Sequence, residues 1–396
     1  MKTVGVISTS RADFGIYLPI LRRLRDDRDF QLRLYVTGAH LVAEFGATIK
    51  WIEEEHFEIT EQIPILLATD DAQSTVKAMA LAMLAFSQVF AQSKPDILLV
   101  LGDRFEMFAS ALAAVPFKIP IAHIHGGELT FGAMDDCFRH CLTKISHLHF
   151  VATEQYAKRV IQMGEDPERV IVSGAPSIDY LRSECLPDQP EIERLIGISL
   201  TPAPILITYH PATLESLSPE QQIREVLAAL PNGDRPIVFT APNADPGGRA
   251  VTAMIQDFIR YHPNAIIVNN LGTRYYFGMM RLACVMVGNS SSGLIEAPSF
   301  RLPVVNIGSR QDGRVRAANV IDVRCDARAI TDGINRAMAP TFRESLINSA
   351  NPYDAGRPAS EIVVQALKRF VLRNDLYNKH FYDLLAKPFD RNGTST

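Results

Sequence analysis

The chain has 396 residues, of which 47% are hydrophobic and 21% are charged, and its formal net charge is −4. That length exceeds one ordinary core, so we expect two domains of a globular rather than a disordered protein. The slightly acidic balance excludes a general basic surface for nucleic acid or anionic lipid, and any anionic ligand must therefore be met by local arginines.

The five cysteines (Cys137, Cys141, Cys185, Cys284 and Cys325) are scattered and odd in number. They predict neither a disulfide framework nor a CxxC metal site. The first residues, MKTVGVISTSRADFG, lack the cleavage pattern of a signal peptide, and no apolar run approaches the roughly 20 residues that span a bilayer. We therefore expect a cytoplasmic protein with no nucleic-acid partner and no membrane partner.

Short β-prone runs alternate with helix-like stretches. The first set of strand-like runs is TVGVIS, LRLYVTG, DILLVLG, IPIAHIHG, LHFVAT and RVIVSG. After SECLPDQPEIERLIGISLTPAP, which we interpret as a linker, the alternation resumes with PILITYH, RPIVFTAP, NAIIVNN, ACVMVGNSS, LPVVNIG and ANVIDVR. This pattern predicts an α/β fold of two Rossmann-like, doubly wound domains that face each other across a cleft.

The predicted domains are residues 1–183, residues 184–358 and a C-terminal segment, residues 359–396. SEIVVQALKRFVLRNDLYNKHFYDLLA predicts helix over roughly 359–385 that packs back on the first domain, and DRNGTST predicts a frayed tail. Neither GxGxxG nor GxxxxGK[ST] occurs, so the dinucleotide and P-loop fingerprints are missing. Two such halves without either fingerprint favour a nucleotide-sugar enzyme with its site in the cleft.

Charged residues follow two of the predicted strands of the first half. Arg11 begins a helix after TVGVIS, where a cation beside a helix N-terminus suits a pyrophosphate; a surface pair with Asp13 is the alternative. Asp103, Arg104 and Glu106 occupy the turn after DILLVLG. We expect a catalytic or ligand-binding role for Asp103 rather than a helix cap alone, because clustered charges after an apolar run are costly unless they are paired or used.

The densest cluster of ionisable side chains is AHIHGGELTFGAMDDCFRHCLTKISHLHF. His123 and His125 share one face of a strand, Glu128 follows two glycines, and Asp135 and Asp136 precede a helix. A two-metal hydrolase site is the alternative, but the spacings match no HExxH or HxH…D pattern, and we expect no metal. We favour a carboxylate pair that acts on a sugar, Glu128 with Asp135 or Asp136.

The second half supplies groups that suit a nucleotide diphosphate. His210 ends the strand PILITYH and can donate to phosphate or act as acid or base. Asn243 lies in the turn FTAPNADPGG at the end of the next strand. Arg310 in NIGSRQDGRVR follows a Gly-Ser turn and is the candidate second clamp on the diphosphate, with Arg314 and Arg316 nearby.

The stretch VGNSSSGLIEAPSF joins a strand to a predicted helix. Small residues at a helix start leave backbone N–H groups free for an anion. Ser290, Ser291 and Ser292 can therefore offer donors to phosphate, and Glu296 can accept from both hydroxyls of a ribose. A plain helix cap with a surface glutamate is the alternative, but the neighbouring arginine and histidine favour a nucleotide.

Seven stretches, in one order along nearly the whole chain, resemble the hydrolysing UDP-N-acetylglucosamine 2-epimerases of bacterial sialic and legionaminic acid synthesis. They are SRADFG, LGDRFE, HIHGGELTFGAMDDCFRHCLTK, TYHPAT, PNAD, GNSSSGLIEAP and NIGSRQDGR. The resemblance implies a GT-B-like fold and a homodimer or homotetramer.

The resemblance also assigns roles to residues. It implies that the catalytic groups are Asp103, Glu128, one or both of Asp135 and Asp136, and His210 near the diphosphate. It implies that the nucleotide-binding set includes Arg11, Ser290, Ser291, Glu296 and Arg310, to which we add Arg104, Asn243 and Ser292.

The chemistry of such an enzyme explains these residue types. The proton on C2 of the sugar is not acidic, so the nucleotide diphosphate must leave first and make C1 oxocarbenium-like. A carboxylate then removes the C2 proton to give a glycal, water adds at C1, and a second acid protonates C2 from the opposite face. Cations and N–H donors stabilise the leaving diphosphate, the carboxylates need different protonation states, and no metal or cofactor is required.

The first expectation for the substrate is UDP-N-acetylglucosamine, converted to N-acetylmannosamine and UDP. One alternative is the same reaction on UDP-N,N′-diacetylbacillosamine or a GDP-linked analogue, giving 2,4-diacetamido-2,4,6-trideoxymannose; another is the non-hydrolysing UDP-N-acetylglucosamine 2-epimerase. A GT-B glycosyltransferase would need an acceptor site and fewer carboxylates. A non-catalytic nucleotide-sugar sensor would bind without turnover, and Asp103, Glu128 and Asp135 argue against it.

Overall fold

The structure, a computed structural model, contains two parallel sheets with helices on both faces. It describes residues 1–69, 71–131, 133–183, 185–212, 217–241, 247–269, 271–371 and 376–384. The predicted α/β class with two doubly wound, Rossmann-like units is confirmed.

The first sheet has seven strands in the order β3-β2-β1-β4-β5-β6-β7. Their bounds are β1 Lys2–Ser8, β2 Phe30–Thr37, β3 Ile59–Ile63, β4 Ile97–Leu101, β5 Ile121–Ile124, β6 Leu148–Val151 and β7 Val170–Val172. Strands β4, β5 and β6 are buried along their whole length, which is why they appear in the sequence as apolar runs rather than alternating ones.

The second sheet has six strands in the order β10-β9-β8-β11-β12-β13, which repeats the pattern of the first. Their bounds are β8 Ile205–Thr208, β9 Ile237–Thr240, β10 Ala265–Val268, β11 Val285–Gly288, β12 Val304–Ile307 and β13 Val320–Val323. In both sheets the order reverses beside the first strand, and ligands of such folds bind at this point, outside the carboxyl ends of the strands.

Helices connect every consecutive pair of strands except β12 and β13. They are α1 Arg11–Asp26, α2 Ile49–Glu54, α3 Ala72–Gln92, α4 Phe105–Ala114, α5 Asp135–Ile145, α6 Glu154–Gln162, α7 Pro176–Ser183, α8 Gln189–Ile196, α9 Pro219–Ala228, α10 Gly248–Arg260, α11 Gly272–Leu282, α12 Ser292–Ile295, α13 Ala327–Met338, α14 Pro340–Ser345 and α15 Ala359–Val371. Short 3₁₀ turns lie at Gly38–Leu41, Ala43–Phe45, Pro167–Arg169 and Ala297–Phe300.

The stretch interpreted as a linker contains a helix, α8. Asp188 caps its start by accepting from the Glu191 N–H at 2.9 Å, and Gly197 ends it with φ 79°. Proline in the first turn is compatible with a helix, so the Pro-rich composition does not exclude one. The division at residues 183/184 stays a prediction.

The C-terminal segment contacts the first unit, and its helix, α15, is shorter than the sequence pattern predicts. Asp179 of α7 accepts from the first two N–H groups of α15, Ala359 at 2.8 Å and Ser360 at 2.7 Å. The helix ends at Val371, and residues 376–384 are not helical. They lie along the first unit instead, where Lys379 donates to the carbonyls of Lys144 and Ser146 at 2.6 and 2.7 Å. The predicted frayed tail lies outside the described residues.

Helix α3 corrects the expectation that no apolar run approaches a bilayer-spanning length. Within the described residues it is the one helix long and apolar enough to cross a membrane, with a mean hydropathy of 1.4 and 28% of that window buried. One such helix is weak support for a membrane span, because helices of globular proteins pass the same test. Its inner face packs Phe86 and Phe90 against Tyr35 of β2.

The two units touch beside the cleft at positions that require glycine. A Cβ on Gly15 of α1 would lie 2.2 Å from Thr273 Oγ1 of α11, and a Cβ on Gly313 would lie 2.4 Å from Leu129 Cδ1. Both glycines belong to stretches that carry the family resemblance, SRADFG and NIGSRQDGR. They allow the backbones of the two units to approach closely around the cleft.

Candidate active site

A cavity of about 770 Å³ lies between the two units, a volume typical of a site for a small molecule. Its wall includes residues that follow β1, β4 and β5 of the first sheet and β11 and β12 of the second. Seven predicted site residues line it: Arg11, Asp103, Arg104, Glu128, Asp135, Ser291 and Arg310. The structure therefore brings together side chains from both halves of the chain.

The other predicted site residues lie elsewhere or cannot be placed. The cavity wall formed by the described residues does not include Asp136, His210, Ser290, Ser292 and Glu296. Asn243 lies outside the described residues. The roles predicted for all of these residues stay predictions.

Glu128 is held by partners from three elements. The chain turns sharply after β5, with φ 64° at His125 and φ 77° at Gly127, and the Glu128 side chain points into a buried position. One carboxylate oxygen lies 2.6 Å from His125 Nδ1, and the other lies 3.2 Å from Arg314 Nη1 and 3.8 Å from Arg139 Nη1. Burial alone would raise the pKa of Glu128, but Arg314, His125 and Arg139 lower it far below its usual range. Glu128 is therefore ionised at neutral pH.

Asp103 lies in the turn after β4, and the buried His123 forms a hydrogen bond with the backbone of that turn. Gly102, with φ 72°, directly follows β4, and His123 Nε2 lies 2.8 Å from its carbonyl oxygen. Burial lowers the pKa of His123 from 6.5 to about 3, so the ring is neutral and its Nε2–H donates to that carbonyl. Arg139 of α5 donates to the Asp103 carboxylate and, at 2.8 Å, to the His125 carbonyl.

Asp103 and Glu128 differ in their access to a ligand. The Asp103 side chain is 20% exposed, whereas that of Glu128 is 2% exposed. Both share Arg139, which ties the turn after β4 to the turn after β5. A ligand in the cavity can therefore reach Asp103 more readily than it can reach Glu128.

The two adjacent aspartates at the start of α5 have different surroundings. The Asp136 carboxylate accepts from the Thr130 N–H at 2.6 Å and lies 3.5 Å from His140 Nε2. Burial raises the pKa of Asp136, but these two partners lower it overall. Asp135 lines the cavity. The geometry favours Asp135 for chemistry and Asp136 for fixing the loop that carries Thr130.

The serine loop, residues 290–292, follows Asn289, whose backbone and side chain bind neighbouring strand ends. Arg310 Nη1 and Gln311 Nε2 donate to its backbone carbonyl at 3.2 and 2.8 Å. Its side-chain amide exchanges two hydrogen bonds of 2.8 Å with the backbone of His210. A Cβ on Gly288, which has φ 144°, would lie 2.0 Å from the Thr208 carbonyl oxygen. The strand ends that carry the predicted nucleotide-binding residues are thus fixed to one another.

Glu296 and Arg11 reach across the two units. The Glu296 carboxylate is buried and accepts from Ser177 Oγ of α7 at 2.5 Å, and burial raises its pKa. Arg11 Nη1 donates to the Asn269 carbonyl at 2.6 Å. The proposed alternative partner of Arg11, Asp13, accepts two hydrogen bonds from Thr9. Among the described residues, no group of three or more His, Cys, Asp or Glu could hold a metal ion.

The three ionisable residues that pair with Asp103 or Glu128 were not among the predicted site residues: His125, Arg139 and Arg314. All three lie in stretches that carry the resemblance, and that is the signal by which they could have been found. Their pairing could not, because Arg314 is separated from Glu128 by most of the second unit. The sequence alone does not show which arginine of NIGSRQDGRVR crosses the cleft.

Comparison with known proteins adds family and fold. A family model described as UDP-N-acetylglucosamine 2-epimerase matches residues 22–368. The chain is 38% identical over 385 residues to the "GDP/UDP-N,N'-diacetylbacillosamine 2-epimerase (hydrolyzing)" of Campylobacter jejuni, which covers 97% of this chain and 99% of that one. It is also 38% identical over 379 residues to the "UDP-N,N'-diacetylbacillosamine 2-epimerase (hydrolyzing)" of Legionella pneumophila, covering 96% and 99%.

Among solved structures, the fold is similar to the UDP-GlcNAc 2-epimerase of Neisseria meningitidis bound to UDP-GlcNAc. The TM-score is 0.79 at 20% identity, over 93% of this chain and all of that one. At this identity the likeness concerns the fold alone, and it confirms the predicted GT-B-like arrangement.

Proposed function

The chain belongs to the UDP-N-acetylglucosamine 2-epimerase family, and on that premise we propose that it is a hydrolysing 2-epimerase of a nucleotide-linked N,N′-diacetylbacillosamine. The products would be 2,4-diacetamido-2,4,6-trideoxymannose and the nucleoside diphosphate. The two relatives at 38% identity support this sugar over N-acetylglucosamine, because both carry diacetylbacillosamine in their names. The alternative substrate of the sequence analysis is therefore preferred to the first expectation.

One observation carries the proposal: three carboxylates and the cations for a diphosphate line a single cavity. Asp103, Glu128 and Asp135 are on one side, and Arg11 and Arg310 come from the two facing units. An elimination that expels a diphosphate and then moves a proton at C2 needs both sets within the length of one nucleotide sugar. A binding protein without turnover would have no use for the carboxylates.

The surroundings of the carboxylates suggest which of them stabilises charge and which of them transfer protons. Because its pKa is held low, Glu128 is a weak base but a permanent anion, suited to stabilising positive charge that develops at C1. Asp103 and Asp135 are left for the two proton transfers at C2, one removing the proton and the other supplying it from the opposite face. Their order depends on how the sugar ring lies in the cavity.

The leaving diphosphate would be met by Arg11, Arg310 and the serine loop. Arg310 and Ser291 both line the cavity; Arg310 donates to the Asn289 carbonyl, and Ser291 follows Asn289 by two residues. Their positive charge and N–H donors would stabilise the negative charge that the diphosphate gains as the C1–O bond breaks. Arg11, at the start of α1, would neutralise the same group from the first unit.

The proposal is tested by offering the purified protein three substrates separately: UDP-N,N′-diacetylbacillosamine, its GDP analogue and UDP-N-acetylglucosamine. Phosphorus and proton NMR would follow release of the nucleoside diphosphate and appearance of a free manno sugar. We expect the highest kcat/KM for a diacetylbacillosamine substrate. A higher kcat/KM for UDP-N-acetylglucosamine would overturn the sugar assignment, and epimerised nucleotide sugar without free sugar would overturn hydrolysis.

Three other expectations accompany this proposal. We expect the enzyme to act in the cytoplasm, to supply legionaminic acid synthesis and to form a homodimer or homotetramer. Gel filtration with light scattering tests the last of these.

A further inference from the structure

The loop between β12 and β13, residues 308–319, contacts both sides of the cavity. At its start, Arg310 and Gln311 donate to the Asn289 carbonyl, directly before the serine loop. A few residues later, the same loop reaches the turn of the first unit that carries Glu128. One short segment therefore joins the predicted diphosphate site to the carboxylate site.

Arg314 makes the contact with the carboxylate site. Its side chain is buried, and its guanidinium contacts three residues of the first unit. Nε donates to the Leu129 carbonyl at 2.8 Å, Nη2 donates to Thr130 Oγ1 at 3.0 Å, and Nη1 lies 3.2 Å from Glu128 Oε2. Three consecutive residues of the first unit thus hold one guanidinium from the second.

The neighbours of Arg314 dock against the same surface. Gly313, with φ 78°, allows close approach to Leu129. The Val315 N–H donates to Tyr156 Oη at 2.9 Å, and Tyr353 Oη donates to the Val315 carbonyl at 2.9 Å. Because three consecutive residues of the loop touch the first unit, the position of Arg314 depends on how the two units are closed.

We propose that Arg314 is a positioning residue through which closure of the nucleotide-binding unit completes the carboxylate site. Seating of a diphosphate beside Arg310 fixes the loop, and the loop then delivers the Arg314 guanidinium to Glu128. This inference rests on the proposed function, because Arg314 can affect turnover through Glu128 only if Glu128 acts on the sugar. Arg314 acts on the sugar through Glu128 and has no proton-transfer role of its own.

The charges around Glu128 explain why this arginine matters. A buried carboxylate loses its ionised form unless cations compensate for lost hydration. The titratable or charged groups that face Glu128 are His125, Arg139, Arg314, Tyr156, Tyr353 and, through Arg139, Asp103. Arg139 is shared with Asp103 and lies farther from Glu128, at 3.8 Å, than Arg314, at 3.2 Å. Without Arg314, the pKa of Glu128 therefore rises.

The test compares Arg314→Gln, Arg314→Lys and wild type in kcat against pH with the best nucleotide-sugar substrate. For Arg314→Gln we expect kcat to fall about 10-fold or more and the acid limb to move to higher pH, with partial recovery in Arg314→Lys. The matched control is Arg316→Gln, which removes an arginine of the same loop whose carboxylate partners, Asp312 and Asp322, lie in its own unit. We expect its acid limb to stay where the wild type has it.

A double-mutant cycle keeps the test decisive if Arg314→Gln merely loosens the fold. If Arg314 works through Glu128, the double variant Glu128→Gln/Arg314→Gln should be no slower than Glu128→Gln within about threefold. If the fold-losses of kcat in the two single variants multiply in the double variant, the two residues act independently and the inference is overturned. An unshifted acid limb of the kcat profile in Arg314→Gln would also overturn it. Absence of turnover by wild type on every substrate would instead overturn the proposed function.

Discussion

The Asp136 carboxylate accepts a 2.6 Å hydrogen bond from the Thr130 N–H, whereas its neighbour Asp135 faces the cavity. Asp136 also lies beside His140, so the partners of its carboxylate belong to the protein itself. Thr130 in turn accepts from Arg139 and Arg314. On this basis we propose that Asp135 acts on the ligand and that Asp136 fixes the loop that carries Thr130.

Asp135→Asn should therefore mainly lower kcat, whereas Asp136→Asn should mainly lower the melting temperature. For Asp135→Asn we expect kcat to fall at least about a hundredfold with the melting temperature near that of wild type, as loss of an acid/base group requires. For Asp136→Asn we expect the larger loss of melting temperature and the smaller loss of kcat. Thermal unfolding and steady-state kinetics on both variants check this, and the reverse ranking would contradict the assignment.

Removing the charge of Asp103 or Glu128 should spare nucleotide binding. In Asp103→Asn and Glu128→Gln we expect turnover to fall at least about a hundredfold while the Kd for UDP stays within about threefold of wild type. Isothermal titration with UDP and product NMR provide the two measurements. Unchanged turnover in either variant would remove that residue from the mechanism.

Arg310→Ala should weaken the binding of the nucleoside diphosphate itself. We expect the Kd for UDP to rise by about 10-fold or more, because a charge-assisted hydrogen bond to phosphate is lost. The matched control is Arg260→Ala, an arginine of α10 whose side chain is 74% exposed and pairs with Asp257. Equal UDP affinity in Arg310→Ala and the control would refute the clamp.

The C-terminal segment of residues 376–384 makes a pH-dependent contribution to stability through Glu165. Its carboxylate lies 2.6 to 2.9 Å from the side-chain nitrogens of Lys144, Lys379 and His149. Burial would raise the pKa of Glu165, but these three partners lower it from 4.5 to about 2. Because the folded pKa is the lower one, the stabilisation is complete above about pH 4.5 and disappears as the pH falls towards about 2.

Glu165→Gln should accordingly lower the free energy of unfolding at pH 7, and the gap to wild type should narrow as the pH falls from about 4.5 towards about 2. Urea unfolding between pH 3 and pH 7 measures both curves. The control is Glu168→Gln at an exposed position of the same region, for which we expect no appreciable gap at any pH. A gap that is constant with pH would show that the charge of Glu165 is not its cause.

Much of the fold could be predicted because apolar β-prone runs that end at Gly, Ser or Thr mark buried parallel strands. Helix α8 was missed because proline and charge, typical of linkers, are also compatible with a capped first turn. The helix predicted to about residue 385 was too long because Tyr377 stacks on His147 and Lys379 binds backbone carbonyls, contacts that no local pattern reveals.

The candidate site was predictable at strand ends but not across the cleft. Asp103, Glu128 and Ser291 follow strands of two parallel sheets, and the fold alone brings such positions to one edge. The cations that pair with these two carboxylates, Arg139 and Arg314, are placed by tertiary packing that no local pattern reveals. Glu128 illustrates the consequence. From the sequence alone it is a candidate general base, whereas in the structure the neighbouring cations keep it ionised.

The measurement that tests the central claim most directly is proton NMR of the reaction on UDP-N,N′-diacetylbacillosamine in D₂O. We expect a free manno sugar that carries deuterium at C2, released together with UDP, since elimination removes the C2 proton and solvent replaces it. A free sugar that retains the gluco configuration and its C2 proton would mean simple hydrolysis, and it would contradict the account.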